Sequence, residues 1–146
     1  MPSHIIAVVN MKGGVGKTST VVSLSEALAA DTQERVLVVD LDAQANASYC
    51  LAGDGLLTEL IEEGKTIDAY LEDTLINRKN ISIKEYIRPN VSDVTHATRI
   101  LDISLLPSSP QLRTIEREVI YSLTDRNMSM KGIEGQVFQL LSLIHI

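Results

Sequence analysis

Asn10-Met11-Lys12-Gly13-Gly14-Val15-Gly16-Lys17-Thr18-Ser19 is the stretch on which the reading of the fold turns. An apolar run, Ile5-Ile6-Ala7-Val8-Val9, leads into it, and residues 18–30 leave it with helical patterning, so the glycines fall at an expected strand-to-helix turn. Three glycines within four positions leave the backbone without Cβ atoms, so that successive N–H groups can face one phosphate chain while the helix N-terminus adds positive potential. The stretch reads as a phosphate cradle. In it Lys17 would reach the β- and γ-phosphates as a point charge, and the Thr18 hydroxyl would sit on the Mg²⁺ that bridges them. The bland alternative is a Gly-rich turn with two solvated lysines; the flanks, the spacing and the hydroxyl after Lys17 all speak against it.

With 146 residues, 45% hydrophobic and 22% charged, the chain is long enough for one compact domain and too short for two ordinary ones. It contains no apolar run near the ~20 residues needed to span a bilayer and no basic, apolar and cleavage-site succession at its start, so a cytoplasmic protein is expected. The single cysteine, Cys50, excludes an internal disulfide framework and a cluster held by several thiolates of one chain. A net charge of -6 argues against a broadly basic nucleic-acid-binding face.

Taken in order, residues 5–9 are apolar without alternation, the pattern of a strand covered on both faces and hence of a central strand. Val21, Leu24 and Leu28 then mark the sheet-facing stripe of a helix. Val36-Leu37-Val38-Val39 is a second unbroken apolar run, and strand, helix and strand together predict a right-handed βαβ unit. Ligands of such sheets bind beyond the carboxyl ends of the strands, where the second strand carries Asp40-Leu41-Asp42-Ala43-Gln44-Ala45-Asn46. Asp40 and Asp42 are candidate partners for the metal and for the attacking water; turn formation and helix capping are their competing uses.

Two short helices are expected next. Leu56, Leu57, Leu60 and Ile61 lie before Gly64, and Ile67, Tyr70, Leu71 and Leu75 follow Thr66, with the intervening acids on the wet faces. Residues 86–90 read as an extended piece or a turn, and the three histidines have no metal-ligand spacing. Residues 100–106 form a third strand candidate, with Leu101, Ile103 and Leu105 on one face. Ser109 and Pro110 suit a helix start, and Leu112, Ile115, Val119 and Leu123 continue that helix. Gly132 precedes a last apolar helical stretch with Ile133, Val137, Leu140 and Leu141.

The order Lys12-Gly13-Gly14-Val15-Gly16-Lys17-Thr18, with Met11 where the usual phosphate loop has glycine, resembles the deviant Walker A motif of the ParA/MinD family. Asp40 to Asn46 resembles that family's switch region, with Ala43 and Ala45 in place of its usual Pro and Gly, and the strand, Pro-Ser turn and helix after residue 100 resemble it too. The resemblance implies an α/β fold: a three-layer P-loop NTPase-like (SIMIBI-type) domain, its mostly parallel sheet flanked by helices. It implies ATP and Mg²⁺ as ligands, with Lys12, Gly13, Gly14, Val15, Gly16, Lys17, Thr18 and Ser19 around the nucleotide. By the same resemblance Lys12 reaches the partner subunit's nucleotide, Asp42 positions the attacking water, and Asp40 supports the Mg²⁺ shell. The partners implied are a second copy in an ATP-dependent homodimer, a ParB-like protein and non-specific DNA. The resemblance runs over nearly the whole chain but matches about the N-terminal half of a family member. We therefore expect residues 1–146 to be a single partial domain, incomplete at the C-terminus, with the Walker B strand and the DNA-binding surface beyond it and with residues 142–146 foreign to the native sequence.

On this reading the function is ATP hydrolysis that drives partition or positioning of plasmid or chromosomal DNA. Three alternatives stand beside it: a MinD-like positioning ATPase, a metabolic or redox enzyme on the same scaffold, and a nucleotide-binding fragment without turnover. An iron protein needs interface cysteines, which Cys50 alone serves poorly, and ATP-dependent ligases of this superfamily usually lack the equivalent of Lys12.

Overall fold

The computed structural model of the chain describes residues 4–10, 12, 14–31 and 35–124, with side chains to residue 121. In chain order its elements are α1 (Lys17–Asp31), β1 (Val36–Val39), α2 (Asn46–Glu62), α3 (Ile67–Leu71), a π-turn (Glu72–Ile76), a 3₁₀ turn (Ile83–Tyr86), β2 (Thr95–His96), β3 (Arg99–Ile100), β4 (Ile103–Leu106) and α4 (Leu112–Thr124). β1 and β4 pair in parallel with Val36 opposite Ile103 and Val39 opposite Leu106, and β2 and β3 form a small antiparallel hairpin.

The pleat of the parallel pair sorts the core into two halves. Val38, Ile103 and Leu105 face α1 and α2, where they meet Ala29 and Leu51; Val39 and Leu106 face the other way, toward Ile67, Tyr70, Ile83, Tyr86 and Leu112. Helices thus cover a parallel sheet on both sides, as a three-layer α/β fold requires. The stripe of α1 is rotated from the expected Val21, Leu24 and Leu28. Ser25 and Ala29 are its buried positions, while Leu24 and Leu28 are half-buried, because the two small residues allow the helix backbone close to its neighbours.

The expected central strand at residues 5–9 is not formed. Ile5, Ile6 and Val9 are 68%, 58% and 84% exposed, and no described residue pairs with the segment. The edge of β4 turned away from β1 is already occupied. Arg88 exchanges two 2.8 Å hydrogen bonds with Leu105, and the Val91 amide donates to the Ile103 carbonyl at 2.9 Å. The predicted βαβ unit lacks its first strand among the described residues, and the piece read as extended at residues 86–90 pairs antiparallel with β4. The third strand begins later than expected, at Ile103, because Arg99 and Ile100 belong to the hairpin. The last helical stretch expected after Gly132 lies outside the described residues.

Two turns follow their local chemistry. Gly64, at φ +65°, closes α2: its amide donates to Ile61 at 3.1 Å and that of Lys65 to Leu60 at 2.8 Å, the paired bonds of a left-handed helix end. Thr66 then caps α3 by accepting the Ala69 amide at 3.4 Å. The helix widens into the π-turn where the Thr74 hydroxyl takes the Tyr70 carbonyl at 2.7 Å, the acceptor that an α-helical amide would use. Asp73 anchors this turn, accepting from the Tyr86 hydroxyl at 2.8 Å and from Asn77 at 3.2 Å and pairing with Lys79 at 2.7 Å.

These donors, Lys79 first and then Tyr86 and Asn77, hold the Asp73 carboxyl below its ordinary value, while burial and then the bond to Asp73 push the Tyr86 phenol up to about 12. The phenol therefore remains a donor through the neutral range. The Asp73 contribution is complete above the unfolded carboxylate value near ~4 and is lost as the pH falls through the lower folded value. Tyr86→Phe should cost about 1 kcal/mol at neutral pH, with the deficit shrinking below about pH 4. Urea titrations of both proteins across that range check it, and a deficit that does not change with pH would reassign the loss to packing. Ala45 is buried at φ 52°, ψ 27°, a left-handed conformation that costs a residue with a Cβ roughly 1–2 kcal/mol. Ala45→Gly should raise stability by about 0.5 kcal/mol, the relief of that strain less the extra unfolded-state freedom of glycine; thermal unfolding reads it as an upward shift of a few degrees.

Candidate functional site

Gly14 and Gly16 stand at φ +71° and +83°, where a side chain is strained, although a Cβ at either position would meet nothing within 4 Å. Conformation rather than crowding asks for glycine. The Lys12 amide donates to Asn10 Oδ1 at 2.9 Å, and the Lys17 ammonium folds back onto the Lys12 carbonyl at 3.4 Å. α1 starts at Lys17, and its first helical bond runs from the Thr20 amide to the Gly16 carbonyl at 2.9 Å. The amides of Lys17, Thr18 and Ser19 consequently have no partner within the helix, which is what an anion-receptive helix start offers. Lys17 and Thr18 are half-buried, whereas Lys12, Gly14, Val15, Gly16 and Ser19 are exposed; Gly13 lies outside the described residues.

Topology brings the acidic strand end to the same edge. α1 returns to β1 through a short connection and packs against it, so the two run in opposite directions and the N-terminus of α1 lies toward the carboxyl end of β1. A 15-residue helix is about 22 Å long and a four-residue strand about 13 Å, so Lys17 overhangs that end of the strand. Asp40 and Asp42 leave β1 there.

The two carboxylates differ. Asp40 is only 5% exposed: its Oδ1 accepts the Asp42 amide at 3.1 Å, and its Oδ2 accepts both the amide and the hydroxyl of Ser48, at 2.9 and 2.8 Å. It thereby caps the first turn of α2 from eight residues upstream, beside a left-handed Ala45 whose side chain offers no cap. Asp42 is exposed, with Oδ1 accepting the Gln44 amide at 2.9 Å in a local turn and no bond to its Oδ2 among the described residues. Turn formation and capping are thus both present, and each carboxylate keeps acceptor capacity beyond them.

This donor set suits a hard cation. Mg²⁺ retains most of its water and needs only one or two protein oxygens beside the phosphates, which Thr18 Oγ1 can supply, with the free acceptor capacity of Asp40 available to its water shell. Among the described residues no group of three or more His, Cys, Asp or Glu side chains is placed to hold a metal ion. Exposed His96 sits in the β2–β3 hairpin and exposed Cys50 on α2.

Sequence reasoning missed the buried polar seam behind the site. The Ser48 hydroxyl accepts the Ser108 amide at 3.0 Å, and the Ser109 hydroxyl reaches Asp68 Oδ2 at 3.0 Å and accepts the Gln111 amide at 3.2 Å. A serine in the first turn of α2 carries no signal in the sequence for such a link, which spans sixty positions. Ser109 alone was legible, as the start of α4.

The family model described as an AAA domain, AAA_31, matches residues 3–138. The chromosome partitioning protein ParA of Myxococcus xanthus is 33% identical over 117 residues, covering 80% of this chain and 34% of that protein. The sporulation initiation inhibitor protein Soj of Bacillus subtilis is 32% identical over 131 residues, 90% of this chain and 44% of that protein. The chromosome partitioning protein ParA of Caulobacter vibrioides is 53% identical over 81 residues. The chain spans less than half the length of these curated relatives. No solved structure matches it significantly. A glycine-lysine loop opening a helix at the edge where an acidic parallel strand ends, together with a family match along nearly the whole chain, identifies it as a member of the ParA/MinD-type P-loop ATPase family.

Proposed function

We propose that this chain carries the nucleotide site of a ParA-like ATPase that acts in the cytoplasm, hydrolyses ATP with Mg²⁺ and couples ATP-dependent dimerisation to the partition of plasmid or chromosomal DNA. The observation that supports the reading is the Gly-rich start of α1, whose first amides have no partner within the helix, on a helix packed against the strand that ends at Asp40. The matched relatives named as partitioning proteins support the biological role.

In this mechanism the unpaired amides at the start of α1 and the Lys17 ammonium bind the β- and γ-phosphates and hold them in one orientation. Bound Mg²⁺ supplies charge neutralisation across the phosphates. Thr18 would offer its hydroxyl to that cation, and Asp40, held by Ser48, would support its hydration. Asp42 is exposed, with no bond to Oδ2 among the described residues, so in this reading it would orient the attacking water and accept its proton. Lys12 is exposed, with its carbonyl engaged by Lys17, and in this reading its side chain would reach a nucleotide held by a second copy. A ParB-like protein would then stimulate turnover, and DNA would bind the dimer. One observation favours binding without turnover as a second reading: residues 5–9, which lead into the loop, pair with no strand among the described residues.

Lys17→Ala should abolish binding of mant-ATP at concentrations that saturate the parent. Asp42→Ala should retain nucleotide but slow phosphate release by about a hundredfold or more; binding that depends on Lys17 in a parent that releases no phosphate would select the second reading. Lys12→Ala should bind mant-ATP as one subunit yet stay monomeric with a non-hydrolysable analogue, by sedimentation velocity. A Lys12→Ala dimer as tight as the parent's removes the cross-subunit role.

A further inference from the structure

Ser48 is fully buried, and it joins the carboxyl ends of the two parallel strands. Its hydroxyl donates to Asp40 Oδ2 at 2.8 Å and accepts the Ser108 amide at 3.0 Å, just past the end of β4; its own amide donates to the same Asp40 oxygen at 2.9 Å. Ser48 and Ser108 are 0% exposed and Asp40 5%. Water therefore cannot substitute for either bond without repacking. An ionised carboxylate offers about four acceptor directions. Ser48 occupies two on Oδ2, and the Asp42 amide occupies one on Oδ1 at 3.1 Å. Among the described residues, a single acceptor direction of Asp40 is left, on Oδ1.

We propose that Ser48 is the positioning residue of the cation site: by holding Oδ2 it presents the remaining acceptor of Asp40 to the hydration shell of the nucleotide's Mg²⁺, and it registers that carboxylate against the turn at Ser108. The inference rests on the nucleotide site proposed above and adds a residue to it. Without the hydroxyl, Asp40 keeps its charge but gains rotamer freedom, and the buried Ser108 amide loses its acceptor. Residues that orient a metal's supporting carboxylate commonly matter tenfold or more in metal affinity.

The test compares Ser48→Ala and Ser48→Thr with the parent by two measurements, neither of them turnover. The first is the affinity of the ATP-loaded protein for Mn²⁺, read by electron paramagnetic resonance. The second is hydrogen exchange at the Ser108 amide in the nucleotide-free protein, read by NMR. Ser48→Ala should weaken Mn²⁺ binding about tenfold, leave ATP affinity in EDTA within about twofold, and speed Ser108 exchange at least about tenfold; Ser48→Thr, which keeps the hydroxyl, should restore both. Unchanged Mn²⁺ affinity in Ser48→Ala overturns the proposal, as does a loss that threonine does not restore. Should the parent itself show no Lys17-dependent ATP binding, the nucleotide reading fails separately. The link is then judged on Ser108 exchange alone, and exchange as slow in Ser48→Ala as in the parent refutes it.

Discussion

The parallel pairing of β1 with β4 is the constraint from which the rest follows. Residues 40–102 lie between the two strands, and closing a connection of that length costs roughly 4 kcal/mol of chain entropy. Burial outweighs it: Ile103, Leu105 and Leu106 are fully buried, and each such side chain contributes about 1.5–3 kcal/mol. Once the strands run side by side in the same direction, their carboxyl ends must share one edge. Asp40 and the Pro107–Ser109 turn thereby become neighbours, although neither is near the other in sequence.

That edge is polar and dry, which gives it its character. Asp40, Ser48, Asp68, Ser108 and Ser109 are all buried, and most of their polar atoms find partners within the protein. Two do not among the described residues: Ser108 Oγ and Asp68 Oδ1. A buried hydrogen-bonded network specifies one arrangement, because each broken bond leaves a group that water cannot reach. The left-handed Ala45 beside it is tolerated for the same reason: capping of α2 from Asp40 over-determines the turn that Ala45 must make.

Residues 5–9 and 88–91 show where pattern and pairing diverge. An unbroken apolar run signals burial on both faces, yet residues 5–9 pair with no described strand, while residues 88–91, which carry no such run, take the edge that β4 presents. The pattern reports what a segment prefers and is silent about which competitor reaches the edge. The same holds for α1, whose large residues Leu24 and Leu28 looked like its inner stripe while small Ser25 and Ala29 proved to be its buried positions. Helix periodicity gives the spacing of a face, and packing against neighbours selects its phase.

Local chemistry was legible without coordinates. The helix start after Gly16, the stop at Gly64, the cap at Thr66 and the strand at residues 36–39 each depend on one residue's backbone or hydrogen-bonding preference, which travels with the residue. The shared face of Leu101, Ile103 and Leu105 followed from a period of two. Tertiary structure alone decided the pairing of β1 with β4, the loss of residues 5–9 from the sheet and the bond from Ser48 to both Asp40 and Ser108. These depend on which distant groups come within 3 Å of one another, and that distance is set by how whole elements pack, a quantity no local run of residues contains.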